Sequence, residues 1–365
     1  MPLHDVGYRP WSGRRTGPAA AIGVIATTGI RLVWTGRWLR RAVFFAWSPA
    51  LFFAASFFVF EQAVEEGRFT ALKEHARLGR NLDGVGMLGT VLADTLGRGV
   101  ERRHLSEKED VATTRRLVWS RLLLAFMRAP QSVLLAIVVG LVAPSLISRD
   151  LRAKAWLVYF TRPVGRTEYI LGKVAILGTL VAAITVLPAV ALWFAGVLVS
   201  PSIRVAAATW DLPLRAVAAS AALAVPTVLL ALAYSSLTAE SRIASFAWFA
   251  TWAACWIAHS SLTTADLVAA ADGRGTAAVS ADEEDGEWRP PPVRSNWVAR
   301  AAGLDPAIDR WAWISPYHAV GVIQAWIFGV ETRLAAIVPP LITLAGISVV
   351  SAIVLVRRVA APMRA

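Results

Sequence analysis

The sequence predicts an all-α integral membrane protein with six transmembrane helices, an N-terminal amphipathic elbow helix and two long extracytoplasmic loops. Three observations carry that prediction. The 365 residues are 56% hydrophobic with a mean hydropathy of +0.54, a balance typical of membrane chains rather than soluble domains. Six stretches approach or exceed the roughly 20 apolar residues needed to cross a bilayer core of about 30 Å, and none contains Asp, Glu, Lys or Arg. The basic residues of this chain, whose net charge is +12, cluster beside those stretches. That grouping fits the positive-inside bias and anionic lipid headgroups. It makes membrane lipid a partner and argues against nucleic acid.

Residues 1–41 form an expected cytoplasmic N-terminal segment. Arg14-Arg15 followed by PAAAIGVIATTGI imitates a leader, but the apolar part is weak and a real span starts only at residue 42. An elbow helix over about residues 18–40 is the reading. The transmembrane domain covers 42–356, with spans at Ala42–Phe60, Ser132–Ile147, Val174–Ser200, Ala216–Leu237, Ile243–Leu262 and Leu334–Val356. The second is short, and Phe126 and Met127 extend its start if Arg128 snorkels. Prolines at 49, 144, 188, 226, 339 and 340 fall inside spans, where membrane helices tolerate them if neighbours satisfy the freed carbonyls.

Six crossings place both termini on one side. The tail, 357–365, has Arg357, Arg358 and Arg364 without an acid, and Arg31, Arg37, Arg40 and Arg41 precede the first span. Both ends are therefore expected in the cytoplasm, with the protein multi-pass in the inner (cytoplasmic) cell membrane. The outer loops cover about 61–131 and 263–333. The first holds 12 basic and 10 acidic residues, and loops beyond about 60 residues translocate largely regardless of charge. Its end, RRLVWSRLLLAFMR, sets Arg115, Arg116, Arg121 and Arg128 around a Leu/Trp/Phe face, which reads as an interfacial helix. The second contains ADEEDGEWRPPPV, a solvated segment. Trp311–Val330 is apolar and aromatic but polar at His318 and Gln324, suggesting a surface-lying or re-entrant helix. A seventh span there is the competing reading, and it moves the arginine-rich tail outside.

Little in the chain suggests catalysis. The single cysteine, Cys255, permits no intrachain disulfide. His259, near the outer end of the fifth span, has Ser260, Ser261 and Thr263 as possible hydrogen-bonding neighbours. Histidines 4, 75, 104 and 318 show no metal-ligand spacing. The Gly-Lys pair, Gly172-Lys173, lacks a phosphate loop: Thr167 stands where its first glycine belongs, and Val174 supplies no hydroxyl for magnesium. The expectation is a chain without cofactor, metal or ATPase activity of its own. The uncharged span interiors also disfavour an ion-coupled transporter, which needs cation-coordinating groups at mid-membrane. They suit hydrophobic or lipid-like cargo, or force transmission.

The densest signal is the 25-residue segment RDLRAKAWLVYFTRPVGRTEYILGK, Arg149 to Lys173, with six Lys/Arg against Asp150 and Glu168. Together with the span ending LVAPSLISRD before it, this segment resembles the permease (transmembrane) subunit of the type-2 ABC exporter family. The family pattern is an acidic or Arg-Asp pair after the second span, about a dozen residues, then Ser-Arg-Pro-(Val/Ile)-Ser-Arg-x-x-Tyr-x-x-Gly-Lys. Arg149, Asp150, Leu157, Tyr159, Arg162 and Pro163 match it, as do Val164, Arg166, Glu168, Tyr169, Gly172 and Lys173. Thr161 and Gly165 depart, each standing where Ser is usual. Gly165 keeps the backbone freedom of a helix N-cap but loses the capping hydroxyl.

The resemblance implies that residues 149–173 form a cytoplasmic coupling loop docking on a separate ABC ATPase subunit, which binds ATP and magnesium. A second permease copy, identical or paralogous, completes the complex. The implied coupling element is a short helix, Asp150–Phe160, with Leu151, Ala155 and Val158 on one face and Arg152 and Lys154 elsewhere, ended by Arg162-Pro163. Arg162 and Arg166 are suited to bidentate pairing with ATPase carboxylates. The alternatives are an ATP-driven membrane anchor or force transducer that moves no solute, and a membrane enzyme acting on lipid-linked substrates. Glu65, Glu66, Asp83 and Asp94 are the carboxylates such an enzyme would use.

Overall fold

A computed structural model describes residues 17–68, 107–128, 132–155, 165–281 and 310–360, and these contain helices and no strand. In chain order the helices are α1 (Pro18–Trp34), α2 (Arg37–Glu65), α3 (Glu107–Phe126), α4 (Ser132–Val142), α5 (Pro144–Arg152) and α6 (Arg166–Val199). The short α7 (Arg204–Ala208) follows, then α8 (Asp211–Leu237), α9 (Ser241–Ala281), a 3-10 turn at Ala312–Ile314, α10 (Pro316–Ile327) and α11 (Leu334–Ala360). The expected outer-loop stretches 69–106 and 282–309 lie outside the described residues, as do Tyr159, Arg162 and Pro163.

Among the described residues, five helical segments are long and apolar enough to cross a membrane: α2, the α4–α5 pair, α6, α8 and α11. The fifth predicted span, Ile243–Leu262, lies inside the 41-residue α9, which is not among the five. Its Trp248, Trp252, Trp256, His259 and serines dilute its apolarity.

The proline positions show how these helices survive in an apolar medium. Pro49 cannot bond the carbonyl of Phe45, and the Ser48 hydroxyl donates to that oxygen instead, at 2.7 Å. Pro144 breaks the second span into α4 and α5. Its missing N–H frees the Gly140 carbonyl, which accepts from Ser245 of α9 at 3.0 Å. The opened N–H groups of Ile147 and Ser148 both donate to Ser235 Oγ of α8 at 3.1 Å, and Ser235 Oγ donates to the Pro144 carbonyl at 2.8 Å. A hydroxyl from another helix thus does the work of an N-cap. The span gains its length at this end, running to Arg152, and not through Phe126 and Met127.

The described residues form two apolar cores, one toward each end of the bundle. One, at the end carrying the 149–173 segment, joins Val43 of α2, Val139 and Ile147 of α4–α5, Leu180 of α6, Leu232 of α8 and Leu355 of α11. The other, at the far end, joins Phe53, Phe57 and Phe60 of α2, Leu192 of α6, Leu212 of α8 and Phe328 around α3. The outer faces are apolar too: Phe44, Phe45, Leu51 and Phe52 of α2 are exposed, as a lipid-facing surface requires.

Four sequence expectations change here. The predicted interfacial helix RRLVWSRLLLAFMR forms most of α3, but Val118, Trp119 and Leu122 through Met127 are fully buried. A helix covered on every side cannot lie on a lipid surface with one face. Arg128 does not snorkel; it is 3% exposed. The 311–330 segment is neither surface-lying nor a seventh span, which leaves the re-entrant reading of the sequence. Its α10 has 12 residues, about 18 Å of helix against a core of about 30 Å, and Ala319 through Ala325 are buried. Finally, the helix expected over about residues 18–40 ends at Trp34, and Thr35-Gly36 separates it from α2.

Candidate coupling site

The 149–173 segment sits where α5 ends and α6 begins. The coupling helix predicted over Asp150–Phe160 is interrupted near its start, and its residues 156–160 lie outside the described residues. Asp150, Leu151 and Arg152 are the last turn of α5, and the helix then closes in a Schellman turn. Ala155 N–H donates to Asp150 O at 3.0 Å and Lys154 N–H to Leu151 O at 3.2 Å. Lys154 has φ +51°, the left-handed conformation that glycine normally supplies at this position. Once the chain reverses there, Leu151 and Ala155 cannot share the stripe of one continuing helix. Leu151 packs against the apolar core instead.

The remaining motif residues separate into two sets. Asp150, Tyr169, Gly172 and Lys173 point inward and join the two helices. Asp150 Oδ2 accepts from the Tyr169 hydroxyl at 2.7 Å and pairs with Lys173 Nζ at 2.8 Å. Lys173 Nζ also donates to the Leu146 carbonyl at 2.7 Å and stands 5.2 Å from the Tyr169 ring centroid. The ammonium is therefore satisfied at low exposure, the condition under which a partly buried ion pair is tolerable. Gly172 serves packing: a methyl group there would sit 2.5 Å from Ile25 Cγ2, so glycine lets α1 lie against the first turns of α6. Gly29 makes the reciprocal approach to Ile176.

Arg149, Arg152, Lys154 and Arg166 are exposed, with Glu168 half-buried. Arg152 Nη2 pairs with Glu240 Oε2 at 2.6 Å and reaches the Ala239 carbonyl at 3.3 Å. It thereby ties α5 to the nearly neutral α8–α9 connection. With both side chains 56% exposed, that pair is worth at most about 1 kcal/mol. Gly165 is the N-cap of α6 with extended backbone and no side-chain cap bond, as its sequence predicts, and Glu168 supplies the acid in the first turn.

Sequence reasoning missed a second polar group at the far end of the bundle. Glu61, fully buried, accepts from Arg115 Nε at 2.9 Å and Trp119 Nε1 at 3.0 Å. Asp211 accepts from Arg116 and Arg215, each at 2.7 Å, and Arg215 donates to the Ile327 carbonyl at 2.7 Å. Deeper, the Arg128 guanidinium packs on Gly321 and lies 5.5 Å from the Tyr317 ring centroid. The His259 ring stacks on His318 with centroids 3.4 Å apart, and the Thr263 hydroxyl donates to the His259 carbonyl, not its ring. The apolar spans held no charge to reveal these groups. Each charge lies at a helix end or in a segment that only folding carries inward. Among the described residues, no three His, Cys, Asp or Glu side chains gather into a metal site.

Residues 37–357 match the family model described as ABC-2 family transporter protein. No curated protein matches the chain.

Proposed function

This chain belongs to the ABC-2 transporter family, and from that premise we propose that it is the permease of an ATP-driven exporter, coupled through residues 149–173 to a separate ATPase subunit. Hydrolysis of ATP, with its magnesium, belongs to that partner. Counting α9 as a crossing gives six, with both termini and the 149–173 segment on the cytoplasmic side, where their arginines favour them. A second copy, identical or paralogous, completes the membrane unit.

The observation that carries this reading is the division of labour within the motif. Asp150, Tyr169 and Lys173 fasten the segment's two ends to each other, and Ser235 and Arg152 fasten the α5 end to α8 and to Glu240. A push on the segment between residues 153 and 165 therefore moves α5, α6 and α8 together. Lys154 and Arg166 remain outward-facing, suited to an acidic docking surface. Lipid-phosphate binding alone would not require such a clamp.

The test is co-purification in mild detergent from the native host, comparing the wild type with an Arg162→Glu/Arg166→Glu variant. The expected result is an ABC ATPase subunit co-eluting with the wild type and lost from the variant. Folded, monodisperse wild-type protein without any ATPase overturns the proposal.

A further inference from the structure

We propose that the cleft between α1, the start of α2 and the α4–α5 span holds a single anionic phospholipid, its phosphate on Arg149 and an acyl chain between the helices. The cleft has a volume of about 800 Å³. Its walls are apolar: Leu32 of α1, Trp38 of α2 and Leu141 of α4 line it, and all three are largely exposed to it and to the surroundings. Its charged groups lie together, Arg149 beside the paired Asp150 and Lys173. Leu141 precedes Arg149 by eight residues, so the apolar wall extends about 12 Å along the helix axis from the cation. A charged mouth above an apolar slot of that depth has the shape of a headgroup and its chain.

The charges select an anion. Asp150 is already neutralised by Lys173 and Tyr169, so its carboxylate offers little to a cationic ligand. Arg149 is exposed and has no ion-pair partner among the described residues. The stretch 18–60, which builds α1 and most of α2, adds Arg31, Arg37, Arg40 and Arg41 without an acid. A zwitterionic lipid would satisfy the slot but place its own cation beside Arg149. The proposal does not depend on the ATPase partner and can fail independently of it.

The experiment is native mass spectrometry of the delipidated full-length protein, titrated with phosphatidylglycerol or phosphatidylcholine. Inorganic phosphate serves as competitor. The expected result is one retained phosphatidylglycerol per chain, favoured over phosphatidylcholine about fivefold, the worth of roughly one basic side chain at an anionic surface. Arg149→Gln should remove the preference while keeping some lipid. Leu141→Trp, which fills the slot, should remove lipid of both kinds. Circular dichroism matching the wild type keeps each variant interpretable as folded. Phosphate should displace nothing, because the acyl chain contributes the larger share of binding. Four outcomes overturn the proposal: no retained lipid, equal retention of both lipids by the wild type, displacement by free phosphate, or unchanged retention in both variants. A Leu141→Trp variant that keeps its lipid but changes oligomeric state assigns the cleft to a second copy instead.

Discussion

Lys173→Met removes the cation that faces Asp150 across the junction of α5 and α6 and leaves a carboxylate held by Tyr169 alone. The lost pair has an N–O separation of 2.8 Å, with side chains 11% and 17% exposed. At an effective dielectric near 20, two unit charges at that distance attract by about 6 kcal/mol before desolvation is counted. Residual solvent access and the surviving Tyr169 hydrogen bond reduce the net loss to about 2 kcal/mol. The Leu146 carbonyl also loses its donor, at a further cost of about 1 kcal/mol. The variant should therefore be destabilised by about 3 kcal/mol. Asp150→Asn keeps a Tyr169 acceptor but leaves the ammonium with one carbonyl, a loss of about 2 kcal/mol. The double variant has no unpaired charge, so it should lose about 3 kcal/mol rather than the summed 5 or so.

The assay is thermal unfolding in detergent, followed by the fluorescence of the 16 tryptophans. In a chain of this length 1 kcal/mol corresponds to roughly 1–1.5 °C in Tm, so Lys173→Met should lower Tm by about 4 °C. Strict additivity in the double variant refutes the clamp. So does a Lys173→Met shift below about 1 °C.

Two further outcomes are expected. Lys154→Gly should raise stability by about 1 kcal/mol, because glycine adopts the left-handed turn at φ +51° without the Cβ conflict. Lys154→Ala, which keeps that conflict, should not, and equal effects of both would show that the turn is unstrained. In the connection before α11, the side-chain hydrogen bond from Arg333 leads the interactions that hold the Glu331 carboxyl below its ordinary value of 4.5. A depressed native pKa means the unfolded chain binds the proton first. The stabilisation is thus full above the ordinary value and is lost as pH falls through the native one. The Tm advantage of wild type over Glu331→Gln should persist at about pH 7 and shrink below about pH 4.5. An advantage unchanged at about pH 3 refutes the assignment.

The Arg-Asp and Tyr-x-x-Gly-Lys halves of the coupling motif were legible in sequence as a pattern, but their tasks were not. Gly172 and Lys173 read as the edge of a basic loop, yet Lys173 is 9% exposed and bound to Asp150 and Leu146. The two partners sit 23 and 27 positions earlier, and helical periodicity relates only residues three or four apart. The predicted coupling helix breaks at Lys154 for a local reason. Nothing in DLRAKAW announces a Schellman turn, because Lys154 occupies the position where glycine would have marked it. Pro144 read as a proline tolerated within one span; that it breaks the span, and that Ser235 and Ser245 from α8 and α9 satisfy the break, was not legible.

The sequence by itself determined the class of molecule and the approximate positions of its spans. Length, apolar composition and the absence of charge are local properties, and a bilayer imposes one length on every helix. It also determined the family, through a motif whose spacing survives two substitutions. Only the tertiary structure decided which apolar face turns inward. Lipid is as apolar as a protein core, so Phe52, exposed, and Phe53, buried, carry the same signal in sequence. The same ambiguity hid α3 and α10. Their aromatic segments, with arginines in α3, have the composition of an interface, yet α3 is buried where Glu61 of α2 and Asp211 of α8 accept from Arg115 and Arg116, and α10 is buried against α8 and α11.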